Sequence, residues 1–179
     1  MIKLRLLEKK DAPFMIEWMH DEEIQKCFIK DMLGISLEDA EHFCEENSSY
    51  DDDLNGNDRH FAIVDDADDE YLGTISLKEI DKKNRNCLFA ISTRKKAHGT
   101  GAAFVAAGLI LDKAFNEYGL NRVYLNVRAD NARAFHFYEK CGFKFEGEFR
   151  NHLYVDGEYV SWKWYSVLAE EYNKSRFGI

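Results

Sequence analysis

The chain has 179 residues, 45% of them apolar and 14% aromatic, with 24 Lys plus Arg against 33 Asp plus Glu for a formal charge of −9. That length and aromatic content exclude a disordered chain and fit a single domain spanning residues 1–179. The acidic balance argues against direct DNA binding, which needs a basic face, and no run reaches the ~20 apolar residues that cross a bilayer.

Ile2, Leu4 and Leu6 alternate with Lys3 and Arg5 and predict a half-buried first strand. Asp11 before Ala12-Pro13 predicts an N-cap and a helix carrying Phe14, Trp18 and Met19. Asp21 begins a short turn through Ile24 and Phe28. Ser36, with Asp39 three residues on, caps a further helix with Leu37, Ala40, Phe43 and Cys44 on its buried face. Residues 47–58 are polar, and the run Asp51, Asp52, Asp53 reads either as a solvated loop or as an attractor for a polyamine.

His60 to Val64 and Tyr71 to Ile80 read as a hairpin, with Gly73 a point of close backbone approach. Asn84 to Thr93 is a further strand, followed by a glycine-containing turn and a long helix from about Gly99 to Glu117. Gly119 suits a left-handed cap. Val123, Leu125 and Val127 form an alternating strand, Asn131 to Lys140 a helix, and 143–155 and 158–168 two strands joined at the tight-turn dipeptide Asp156-Gly157. Cys27, Cys44, Cys87 and Cys141 show no metal-binding spacing, so reduced thiols and no metal are expected. No basic stretch followed by an apolar run opens the chain, and a cytoplasmic protein is expected.

Two segments carry chemistry. In RKKAHGTGAA (Arg94 to Ala103), two glycines stand two apart where a strand feeds a helix. The first amides of a helix have no internal partners and share the positive end of its dipole, so the turn suits a pyrophosphate. Alone, the same turn is also a packing device for small residues. It is no Walker loop, because no Gly-Lys-Ser/Thr follows, and no dinucleotide fingerprint, because Phe104 stands where a third glycine is needed. In DNARAFHFYEKCGF (Asp130 to Phe143), Asn131, Ala134 and Tyr138 share one helical stripe. Asn131 is a helix cap on the plain reading, and a tyrosine on such a stripe is core.

With these segments in order, the chain resembles the GNAT N-acetyltransferase superfamily, and within it the ribosomal-protein-alanine and bacterial spermidine N-acetyltransferases. The resemblance is carried by Asn84-Arg85-Asn86, HGTGAA (His98 to Ala103), GLNRVYLNV (Gly119 to Val127), NARAFHFYEKCGF (Asn131 to Phe143) and YVDGEY (Tyr154 to Tyr159). It implies an α+β fold with a mixed, mostly antiparallel sheet of six to seven strands. Strands 4 and 5 would be splayed, with helices on both faces. It implies that acetyl-CoA lies between those strands as co-substrate. Phe89, Ala90, Ile91, Ser92 and Thr93 would bind its pantetheine. Arg94, Lys96, His98, Gly99, Thr100, Gly101, Ala102 and Ala103 would bind its pyrophosphate. Asn131 and Ala134 would lie beside it, and Tyr138 would contact the thioester sulfur as general acid.

The implied activity is direct acetyl transfer to a primary amine of a polyamine, an amino sugar or a protein N-terminus, with a homodimer as one arrangement. The alternative is a catalytically silent CoA-binding sensor or interaction protein. Leu88 stands where many relatives carry a glutamate base, and Glu79, Asp81, His136 or a water chain are the substitutes. Glu22, Glu23, Glu38, Glu41, Glu45 and Glu46 either line a cationic channel or face water.

Overall fold

The alternating pattern of Ile2–Leu6 forms β1, the first edge of a seven-stranded sheet, in a computed structural model that describes residues 1–26, 31–51, 53–54 and 57–179. Phe28, Cys27 and Asp52 lie outside the described residues. After β1 come α1 (Ala12–Met19), α2 (Glu22–Gln25) and α3 (Leu37–Glu46). The hairpin of β2 (Arg59–Asp65) and β3 (Glu70–Asp81) precedes β4 (Asn86–Thr93) and α4 (Ala102–Asp112). β5 (Arg122–Arg128), α5 (Ala132–Cys141), β6 (Lys144–Val155) and β7 (Glu158–Leu168) complete the order β1-β2-β3-β4-β5-β7-β6. Every neighbouring pair is antiparallel except β4 with β5.

Two apolar clusters fix the layers. One face of the sheet offers Phe89, Val123, Leu125 and Tyr165 to Ala106, Ile110 and Leu111 of α4, with Ala134, Phe135 and Tyr138 of α5 packed against them. The other face offers Ala62, Val64 and Tyr71 to Met15 and Trp18 of α1 and to Ala40 and Cys44 of α3. Helices therefore cover both faces, and no helix is long and apolar enough to cross a membrane.

Ser36 and Asp39 form the expected capping box, Asp21 caps α2, and Asp156 and Gly157 both take positive φ (52° and 89°) as a tight hairpin turn requires. Three expectations shift. Asp11 does not cap α1: it is 1% exposed, accepts two 2.8 Å hydrogen bonds from the Arg5 guanidinium, and takes the Glu8 N–H at 2.9 Å. A charge-assisted bidentate pair outcompetes a cap for a buried carboxylate. The long helix starts at Ala102 rather than Gly99, because positive φ at Gly99 and Gly101 keeps both outside it. Its last turn, Lys113–Glu117, widens to a π-helix, with the Tyr118 N–H bonding back to the Lys113 carbonyl at 2.8 Å.

Candidate functional site

β4 and β5 are paired over only Asn86–Leu88 with Arg122–Tyr124, and then part. From Phe89 to Thr93 the strand keeps its ladder to β3 but has no partner on its β5 side among the described residues, while β5 stays paired with β7 as far as Arg128. A sheet edge cannot leave its amides and carbonyls unpaired in an apolar setting without cost. The wedge is therefore lined by donors and acceptors that a strand-like ligand can satisfy. The strand sits hard against β3. A Cβ on Gly73 would lie 2.3 Å from the Ser92 carbonyl oxygen and 2.8 Å from the Thr93 Cα, which is the close approach expected of that glycine.

At the open end of the wedge the chain turns through Lys95–Ala97 into α4. Gly99 and Gly101 have φ of +76° and +87°, and a Cβ on either would meet nothing within 4 Å. What demands glycine is thus the backbone conformation together with the open space beside it, not crowding by the protein. Thr100 Oγ1 donates to the Ala97 carbonyl at 2.8 Å and accepts the Ala102 N–H at 3.2 Å. The Phe104 and Val105 amides return to the Gly101 carbonyl at 3.0 and 3.1 Å. The amides of Gly99, Gly101 and Ala103 have no partner among the described residues and sit at the positive end of α4. This cradle, opening beside the unpaired strand, fits a diphosphate attached to an extended arm.

The basic run before the cradle behaves differently from its sequence. Arg94 is tied to Glu17 (2.7 and 2.9 Å), to Glu70 (3.2 Å) and to the Tyr71 carbonyl, and stacks over Phe14. Lys95 pairs with Asp21 at 2.5 Å, and Lys96 pairs with Glu70. Arg94 therefore fastens β4 to α1, while Lys96 keeps its head at a half-exposed rim. His98 is half-buried, and burial together with the nearby Arg133 guanidinium holds its imidazole below its usual range. Arg133, a cation on the first turn of α5, is the one the motif reading passes over; only the fold brings α5 beside the turn.

Tyr138 faces the wedge from α5. Its ring meets Phe89 edge-on at 6.0 Å and Phe143 at 6.0 Å, so it stands at the residue where β4 first leaves β5. Asn131 caps α5 through the Ala134 N–H at 3.1 Å, and Ala134 packs against the core cluster. Phe89, Ala90, Ile91, Ser92, Thr93, the glycine turn and Tyr138 are thus gathered around one wedge.

On the opposite face of the same strands, Leu88, Ala90 and Ser92 of β4 are in register with Lys78, Ser76 and Thr74 of β3. Ser76 is in turn opposite His60 of β2, and its Oγ lies 2.7 Å from His60 Nδ1. His60 Nε2 is 3.6 Å from Asp58 Oδ2, and burial pushes the imidazole below its ordinary range. Glu79, at the β3 bulge with φ +52°, receives the Tyr124 hydroxyl at 3.3 Å, and its own N–H donates to Asp58 Oδ1 at 2.9 Å. Asp81 is occupied by the Asn84 N–H and amide at 2.8 and 2.6 Å, and His136 is exposed on α5. Neither cross-strand pair leaves a local sequence signal, since each joins residues many positions apart.

Cys44, Cys87 and Cys141 are buried free thiols, each pushed up to about 12 by burial, so none is a nucleophile at neutral pH. Among the described residues no group of three His, Cys, Asp or Glu side chains could hold a metal ion. The N-terminal acids have surface partners: Glu41 and Glu45 hold Lys9, Glu23 holds Lys26, and the His42 ring faces Glu46.

Comparison with known proteins gives a consistent result. Residues 2–144 match the model of the acetyltransferase (GNAT) domain. A spermidine N(1)-acetyltransferase of Vibrio cholerae is 28% identical over 171 residues, covering 96% of this chain and 95% of that protein. The Escherichia coli K12 enzyme of the same name is 30% identical over 159 residues, covering 88% and 81%. A crystal structure of the Vibrio cholerae enzyme with CoA and spermine superposes with a TM-score of 0.82 at 26% identity, over 95% of this chain and 96% of that one.

Proposed function

The chain belongs to the GNAT acetyltransferases, and from that membership we propose that it carries the acetyl group of acetyl-CoA directly to a primary amine, with a polyamine as the first acceptor to test. It is an acyltransferase that uses acetyl-CoA as co-substrate. The observation that carries the reading is the short β4–β5 ladder opening onto an unpartnered glycine cradle at the head of α4.

When bound, acetyl-CoA supplies the acetyl group as a thioester. The chain's part is to hold and polarise it. The amides of Gly99, Gly101 and Ala103 would bind the diphosphate, and the free edge of Phe89–Thr93 would bind the pantetheine arm by main-chain hydrogen bonds. An N–H on the same edge would polarise the acetyl carbonyl, where a fixed donor acts most strongly out of water. The Tyr138 phenol would donate to the sulfur as it leaves. Lys96 and Arg133 would add positive charge at the rim, beside the His98 imidazole.

Two observations support a polyamine: the spermidine acetyltransferase names of relatives covering nearly the whole chain, and the net charge of −9, which steers cations. A protein N-terminus and an amino sugar are the other primary amines of the panel. Self-association is part of the reading, because β6 forms an outer edge carrying Phe145, Phe149 and Tyr154, each at least half exposed. A panel of spermidine, spermine, an alanyl peptide and glucosamine, assayed for free CoA with size-exclusion on the same sample, tests it. Steady release with any amine separates an enzyme from a silent CoA-binding or interaction protein. Release with the peptide alone would overturn the polyamine assignment.

A further inference from the structure

We propose that Ser76 and His60 form the relay that removes the proton of the acceptor ammonium, in the place where Leu88 offers no base. The inference rests on the acetyl-transfer reading above. Three strands bring the parts together. His60, Ser76 and Ala90 are consecutive partners across β2, β3 and β4, so their side chains share one face. Neighbouring strands are about 4.8 Å apart, so Ala90, with only a methyl for a side chain, is the register partner that stands between Ser76 and the edge where β4 has left β5. Ser76 is 5% exposed, and a side chain bulkier than alanine at position 90 would cover it further from the wedge side.

The chemistry runs inward along that row. Ser76 Oγ takes a proton from the ammonium nitrogen while its own proton passes to His60 Nδ1, 2.7 Å away. The imidazolium so formed faces Asp58 Oδ2 from its other nitrogen, at 3.6 Å. The freed nitrogen lone pair forms the C–N bond, the C–S pair leaves on sulfur, and sulfur takes the Tyr138 proton. The second nitrogen proton restores the phenol, and His60 returns its proton to water. The net release of one proton balances an ammonium becoming an amide. A base must be neutral before it can act, and burial keeps the imidazole deprotonated at neutral pH. The surroundings of His60 are accounted for from each element. Asp58 lies before it, Lys78 and Ser76 are on β3, the Phe43 ring of α3 lies edge-on at 4.9 Å, and Tyr50 Oη bonds both its N–H and its carbonyl. Lys78 opposes the imidazolium and Asp58 favours it.

Glu79 with Tyr124 is the competing pair at the apex of the wedge. Its 3.3 Å contact is long, and its carboxylate is exposed to water.

The test uses the full chain with spermidine or whichever amine of the panel releases CoA. His60→Gln keeps a hydrogen-bonding partner for Ser76 but accepts no proton. It is expected to lower kcat by about 100-fold or more, to leave the KM for acetyl-CoA unchanged, and to erase the acid limb of the pH profile. Asp58→Asn keeps the acceptor for the Glu79 N–H and removes the charge, so the acid limb moves to lower pH. Ser76→Ala loses rate in the same direction. Thermal stabilisation by acetyl-CoA in each variant establishes that the fold and the wedge survive. Without substrate, nitrogen-15 NMR of neutral His60 is expected to show an unprotonated Nδ1. Finding Nδ1 protonated, or wild-type rates and profile in His60→Gln, overturns the relay. So does Glu79→Gln reproducing the loss when His60→Gln does not. A wild-type chain that takes up acetyl-CoA but acetylates no amine overturns the transfer reading and the relay together.

Discussion

Replacing Gly101 by alanine separates what the cradle needs for folding from what it needs for binding. Gly101 has φ +87° and ψ −8°, and an added Cβ would touch no protein atom within 4 Å. The fold therefore pays only the left-handed penalty of an L residue, about 1–2 kcal/mol. For a chain of this size each 1 kcal/mol lowers Tm by roughly 2–4 °C, so Tm should fall by about 2–8 °C. Binding has a separate cost. If a diphosphate lies on the Gly99, Gly101 and Ala103 amides, the new methyl stands in its place and at least one charge-assisted hydrogen bond is lost. That is about 1.5–3 kcal/mol, or roughly 10- to 150-fold in Kd. Isothermal calorimetry with CoA, well below Tm, reads the second effect alone. Gly101→Asn sharpens the comparison, because Asn tolerates positive φ better than Ala while adding more bulk. It should unfold later than the alanine variant and bind no more tightly. A Kd within about twofold of wild type in both variants, with Tm lowered, would mean that the diphosphate is held elsewhere.

Tyr138→Phe should lower kcat by about 100-fold with the Kd of acetyl-CoA nearly unchanged, read by CoA release and calorimetry; unchanged turnover removes the phenol from the chemistry. Gly73→Ala forces a carbon within 2.3 Å of the Ser92 carbonyl. It should cost about 1–3 kcal/mol in urea unfolding, as overpacking does, and weaken acetyl-CoA binding because β4 moves. Asp69 is held down to about 2 by Lys10 and Arg5. A depressed carboxylate stabilises the fold above its unfolded pKa and ceases to as pH falls toward its folded value. The urea midpoint of wild type should therefore exceed that of Asp69→Asn at pH 7, and the gap should close between about pH 4 and 2. Asn suits the left-handed φ of +57° at that position, so the substitution adds no backbone strain, and a gap independent of pH would show that the carboxylate's charge is not its source.

Strand alternation, helix caps and turn glycines were legible from local chemistry, because each is decided by neighbours a few residues apart. Ser36 with Asp39, Gly119 and Asp156-Gly157 are such cases, and Gly73 announced its crowding by being glycine in an apolar strand. The wedge was expected only through resemblance, since no periodicity encodes where two strands part. Asp11 reads as a cap until the fold delivers Arg5 to it. Arg94 reads as a phosphate ligand until Glu17 and Glu70 arrive from elements far away in sequence. His60 and Ser76, 16 residues apart, draw no attention before the β2–β3 register sets them face to face.

The three-residue ladder between β4 and β5 is also a seam. On either side lie half-sheets knit by long antiparallel ladders, and the strand pairing that joins them is the short Asn86–Leu88 ladder, of the weaker parallel kind. A ligand bound in the wedge along the free edge of Phe89–Thr93 would act as the missing length of strand and hold the halves together. Amides along the far part of β4 should then exchange with deuterium slowly once it is filled and faster when it is empty, so the molecule is tightest when it is loaded.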